Sequence, residues 1–119
     1  MARPIAKKLL VHTCTLKRPA GIDRDRNPIY TDTVLKQVRI GATMQTIRGG
    51  IGDVKADTMT LIIDAVHTRY YTTDGTEKEA IIPTEKDVIN WQGKTYTVKS
   101  VMPCYAQSDS PHHWEVTLE

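Results

Sequence analysis

Few residues in this chain could do chemistry, and they sit in surroundings that do not suit catalysis. Gly93-Lys94-Thr95 ends like a phosphate-binding loop, but that motif needs a glycine five residues before its Gly-Lys pair, and position 88 is Val88. Tyr96-Thr97-Val98 then continues as a strand, not as the helix whose N-terminus would hold the phosphate. Gly49-Gly50-Ile51-Gly52 has neither the spacing nor the strand-to-helix context of a dinucleotide fingerprint. Ser100, Ser108 and Ser110 lie outside any nucleophile-elbow context. Glu77, Glu79, Glu85 and Asp87 are interleaved with lysines, which reads as a solvated surface. A metal site is conceivable with His12 and Cys14 on one strand face and His112 or His113 beside them. However, no pair has zinc-ligand spacing across a turn, so no metal is expected. The chain reads as a non-enzyme, with no catalytic residue, no metal ligand and no cofactor.

The elements that would position these groups are strands. Strand signals fall near residues 8–16, 34–46, 54–66, 79–82, 87–92, 94–102 and 112–118. Leu10, His12, Cys14 and Leu16 share one face of the first. Val34, Val38 and Ile40 share a face of the second, with Lys36 among them, and Met59, Leu61 and Ile63 share a face of the third. Ile89 and Trp91 alternate with Asn90 and Gln92, Gln92-Gly93 supplies a tight reversal, and Tyr96 and Val98 alternate on the return. Trp114, Val116 and Leu118 form the last apolar face. No segment longer than ten residues shows apolar positions at helical spacing.

The expected fold is therefore all-β: one domain over residues 1–119, a small barrel or sandwich of about six to seven strands. Two connections stand out. Residues 17–33 hold two prolines, a glycine and seven charges, and read as one long N-terminal loop. Residues 47–54, with Arg48, Gly49, Gly50, Ile51 and Gly52 at their centre, read as the tip of a long projecting hairpin over 38–64.

Composition narrows the class further. At 119 residues and 39% apolar the chain can bury one modest core. It has no Phe, so Trp91, Trp114 and five tyrosines must supply its large packing units. Cys14 and Cys104 are too few for a disulfide scaffold and read as two reduced thiols. No apolar run reaches the length of a membrane span, and Leu9-Leu10-Val11 is too short for a signal-peptide core. The net charge of +2 hides an asymmetry. Residues 1–26 carry Arg3, Lys7, Lys8, Lys17, Arg18, Arg24 and Arg26 against Asp23 and Asp25, a net of +5. The remainder holds nine basic and twelve acidic groups, a net of −3. Arg3, Lys7 and Lys8 are candidates for a segment that docks on an acidic surface. Binding of single-stranded nucleic acid is the alternative reading, with Tyr70-Tyr71 beside Arg69 as a stacking platform.

The order of signals resembles a known family. The opening Arg-Pro-Ile-Ala-Lys-Lys-Leu-Leu-Val-His-Thr-Cys-Thr is followed by Pro28-Ile29-Tyr30 and the strand from Val34 to Ile40. Then come Thr60-Leu61-Ile62-Ile63-Asp64, Lys86-Asp87-Val88-Ile89, Gly93-Lys94-Thr95-Tyr96-Thr97-Val98, Pro103-Cys104-Tyr105 and a closing His-His-Trp-Glu-Val. This succession is similar to the minor capsid, or head-tail connector, proteins of long-tailed phages and prophages of Gram-positive bacteria. The resemblance implies a structural protein of the virion neck, made in the host cytoplasm and assembled as a ring of copies of itself at the portal or adaptor ring. It would close the DNA-filled head, meet the tail-terminator proteins and surround the packaged double-stranded DNA. The resemblance carries no catalytic or ligand residue onto this chain.

Overall fold

The computed structural model describes residues 5–42, 58–106 and 109–119. A single 3₁₀ turn, Lys7–Leu9, precedes the strands β1 (His12–Ile22), β2 (Pro28–Ala42), β3 (Met59–Asp64), β4 (Arg69–Tyr71), β5 (Val88–Trp91), β6 (Lys94–Cys104) and β7 (His113–Leu118). All pairings are antiparallel, in the order β1-β5-β6-β7-β3-β2-β4, and β1 also pairs with β2. Six strands thus close into a ring, with β4 beside β2 as an addition. Closure removes the free edges that an open sheet of this size would leave exposed. No helix among the described residues is long and apolar enough to cross a membrane.

The alternating apolar positions fill this ring. Cys14 and Leu16 from β1, Leu35, Val38 and Ile40 from β2, Leu61 and Ile63 from β3, Ile89, Val98, Val116 and Leu118 form one buried cluster. Met59, Trp91, Tyr96, Val101 and Trp114 pack around it half-buried, so these aromatics serve the core's rim as their alternation suggests. Gln92 (φ 50°) and Gly93 (φ 78°) form the two-residue turn between β5 and β6. Positive φ at both central positions gives the turn a twist that matches the flanking strands.

The strand β2 departs from simple alternation. Leu35 is fully buried and Lys36 is exposed, whereas the sequence pattern put Val34 and Lys36 on the face of Val38 and Ile40. The cause is a bulge: Gln37 has φ 63°, and the register with β1 shifts between His12↔Val38 and Thr13↔Lys36. One extra residue reverses the facing of everything on its N-terminal side. The bulge also lies where β2 changes partner, from β4 (residues 34–36) to β3 (residues 38–42). Gln37→Val should destabilise the fold by about 1–2 kcal/mol, since a β-branched side chain resists positive φ. Gln37→Gly should fall within about 0.5 kcal/mol of the parent, strain relief offsetting backbone entropy. Denaturant midpoints of the two variants check this.

Two expected elements are corrected. Residues 17–33 are not a loop: β1 continues to Ile22 and β2 starts at Pro28, joined by a turn over residues 23–27. In that turn Asp23 Oδ1 accepts from the backbone N–H of Asp25 (2.8 Å) and Asn27 (2.9 Å), and Arg26 takes φ 63°. Alternation is invisible here because residues 19–31 are all exposed, so neither face is selected to be apolar. The stretch 79–82 forms no strand; Ile81 and Ile82 pack half-buried against the core from irregular backbone, and the strand lies instead at Arg69–Tyr71. Residues 43–57, which include the expected hairpin tip, lie outside the described residues; the arms β2 and β3 do pair, from Val38↔Ile63 to Ala42↔Met59.

Candidate functional site

Two buried carboxylates act as backbone anchors. Asp64 (1% exposed) ends β3, and its Oδ2 accepts from the N–H of Val66 (2.9 Å) and His67 (2.7 Å) while Oδ1 accepts from Ile5 N–H (3.0 Å). The Asp64 N–H donates to Thr68 Oγ1 (2.8 Å), whose hydroxyl donates to the carbonyl of Gln37 (2.7 Å). The Asp64 side chain thereby ties the N-terminal segment to the β3–β4 loop, and the Thr68 hydroxyl extends the tie to the β2 bulge. Asp87 (2% exposed) plays the same part across the ring. Its Oδ2 accepts from Arg18 Nη2 (2.9 Å), Arg18 Nε (3.2 Å) and the N–H of Thr84 (2.9 Å), and Arg18 Nη2 also donates to the Ile82 carbonyl (2.8 Å). Every oxygen of these carboxylates is held by donors, which leaves neither poised as a general base.

The other reactive groups are equally committed. His12 Nδ1 accepts from Ile40 N–H (3.0 Å) and its ring meets Trp91 edge-on at 5.1 Å. Cys14 is buried beside it, and burial pushes its thiol up to about 12. A neutral thiol and a ring nitrogen engaged with backbone do not converge on His112 or His113 as a metal site. Burial also raises Tyr70, with the Asp64 charge adding to it, to about 12. Tyr70 is 6% exposed and lies in the core, while half-buried Tyr71 carries Lys36 Nζ 5.0 Å from its ring centroid. Adjacent strand residues face opposite ways, so the Tyr70-Tyr71 pair forms no stacking platform. A concavity of about 170 Å³ lined by Thr68, Arg69, Glu77, Lys78 and Trp114 is smaller than the range of small-molecule sites.

The basic N-terminal residues divide. Lys17 pairs with Asp32 (3.1 Å) and Arg18 with Asp87, so both are spent inside the fold. Lys7 and Lys8 are exposed on the 3₁₀ turn, and Arg24 and Arg26 are exposed at the β1–β2 turn. The length of β1 puts these two pairs about 33 Å apart along the strand, not on one basic face. Arg3, Arg48, Gly49, Gly50, Ile51 and Gly52 lie outside the described residues.

Two features went unread in the sequence. The first is the outer half of the β1–β2 hairpin, which runs past the ring with no third strand among the described residues. Its register, Pro19↔Tyr30 and Ile22↔Pro28, sets four apolar side chains on one face, with Ile22 71% and Tyr30 41% exposed. The second is a polar cluster where β6 ends and β7 begins. Cys104 and His113 are cross-strand partners and Glu115 lies two residues along on the same face. Cys104 Sγ donates to Glu115 Oε2 (3.1 Å), His113 Nε2 lies 3.2 Å from that oxygen, and His112 Nδ1 lies 2.9 Å from His113 Nδ1. The Cys104 thiol and then His113 hold the Glu115 carboxyl below its ordinary range, while burial and then Glu115 push Cys104 up to about 11. A His-x-Glu triplet paired with a distant cysteine becomes visible only once strand register is known.

The family model described as Minor capsid protein matches residues 6–118. Neither a curated protein nor a solved structure matches the chain.

Proposed function

The chain belongs to the minor capsid protein family of phages, and from that premise we propose that it is a structural protein of the virion neck, assembling as a ring at the portal or adaptor. There it closes the DNA-filled head and joins the tail. The observation that carries this reading is the exposed apolar ribbon. A monomer gains nothing by extending β1 and β2 beyond its own core and leaving Ile22, Pro28 and Tyr30 in water. A subunit that must be covered by its neighbours gains an interface. Ring contacts join two unlike patches of one chain, and a projecting ribbon on one side of a closed ring of strands supplies one of them.

Copies of the chain, the portal or adaptor ring, the tail-terminator proteins and the packaged double-stranded DNA are the partners of this reading. Arg48, Gly49, Gly50, Ile51 and Gly52 are assigned to the lumen, and Arg3, Lys7 and Lys8 to docking. Deleting residues 48–53 should give a protein with an unchanged melting temperature whose particles package DNA but do not retain it. Normal retention would remove the lumen assignment. Electron microscopy of particles made without this protein tests the whole reading: DNA-leaking or tailless heads are expected, and complete virions would refute it.

A further inference from the structure

We propose that Cys104, His113 and Glu115 form a binding site for one divalent transition-metal ion of the zinc class, clamping the end of β6 to the start of β7. The three ligand atoms already converge. Cys104 Sγ, His113 Nε2 and a Glu115 carboxylate oxygen all lie within 4.8 Å of one another, with Glu115 Oε2 at 3.1 Å from the sulfur and 3.2 Å from the nitrogen. Bonds of about 2.0–2.3 Å to a tetrahedral zinc place neighbouring ligand atoms about 3.3–3.7 Å apart. The two contacts of Glu115 Oε2 already fall within a few tenths of an ångström of that spacing, and side-chain rotation about Cys104 and His113 adjusts the third, on a pair of strands whose register is already fixed.

The donor set selects the metal. One sulfur, one imidazole nitrogen and one carboxylate oxygen suit zinc, cobalt or nickel, whereas calcium and magnesium require oxygen donors throughout. Three protein ligands leave a fourth position for water. His112 supplies the outer support: with its Nδ1 at 2.9 Å from His113 Nδ1, it can accept a proton held there and so leave His113 Nε2 bare toward the ion. On binding, the Cys104 S–H bond breaks, its proton is released to solvent and the thiolate sulfur bonds the ion; no redox change occurs. The clamp would fix the last residue of β6 to the first residues of β7.

The test uses the full chain, stripped of metal by chelator and kept reduced. Titration with Co²⁺ should saturate at one equivalent per chain and develop a thiolate-to-cobalt charge-transfer band. Zn²⁺ should then bleach that band by displacement and raise the melting temperature. Cys104→Ser should abolish the band, and His112→Ala should weaken Zn²⁺ binding about 10-fold, as loss of an outer-shell partner does. Circular dichroism confirms that each variant is folded, and Glu115→Gln, at an exposed position, provides a substitution with little risk to folding that should also weaken binding. Absence of saturable binding at one equivalent overturns the proposal. So does unchanged binding in a folded Cys104→Ser/His113→Ala protein, because the ion would then sit elsewhere.

Discussion

Replacing Asp64 by alanine should lower the unfolding free energy by about 3–5 kcal/mol, the largest effect expected of a single polar substitution in this chain. The carboxylate is 1% exposed and accepts from three backbone N–H groups, those of Ile5, Val66 and His67. Alanine leaves all three donors without their acceptor in a site with little access to water, and each orphaned donor costs about 1–3 kcal/mol. Asp64→Asn is the sharper comparison. It keeps shape and volume but turns one oxygen into an amide that also donates, so at least one N–H meets another donor. A loss of about 2 kcal/mol is expected there. Denaturant unfolding measures both, and hydrogen exchange should show early release of the Val66 and His67 amides. An asparagine variant as stable as the parent would mean that the anchor depends on shape alone.

Changing Ile22 and Tyr30 together to aspartate should leave the isolated protein as stable as before, within about 0.5 kcal/mol, yet remove it from assembled particles. The two side chains share one face of the ribbon, 71% and 41% exposed, and neither is a member of the buried cluster. If neighbours cover them, each contributes about 1.5–3 kcal/mol to that contact, so the pair is worth roughly a hundredfold or more in affinity. Two added carboxylates would make the buried state costlier still. The measurements are a melting curve of the purified variant and the amount of protein on purified particles. Full incorporation would show that the ribbon faces solvent in the virion, and the neck interface would have to be sought elsewhere. A melting temperature well below the parent's would instead mean that the ribbon supports the monomer.

Much of this protein was legible without coordinates, for a physical reason. Where one face of a strand packs on the core, burial selects apolar side chains every second residue, and that period can be read directly. Leu10, Cys14 and Leu16, Leu61 and Ile63, Ile89, Val98, Val116 and Leu118 all appear in the sequence as they appear in the core. Gln92-Gly93 announced its turn because few residue pairs accept positive φ twice in succession. The order of these pieces also carried the family.

Tertiary structure alone decided the rest. The ribbon over residues 19–31 pairs through backbone hydrogen bonds, which any sequence can make, and with neither face buried no period was imposed to reveal it. The bulge at Gln37 inverted the facing of Leu35 and Lys36, since an irregularity in register is set by the partner strands and not by the residue. Asp87 read as a surface charge because its partner Arg18 lies 69 positions away in the chain, and the anchoring by Asp64 went unread because its donors are backbone N–H groups, which have no letter in the sequence. Cys104, His113 and Glu115 were brought to one point by the pairing of β6 with β7. Local pattern thus fixed which residues face inward wherever a strand runs without a bulge, while closure of the ring fixed which distant residues meet.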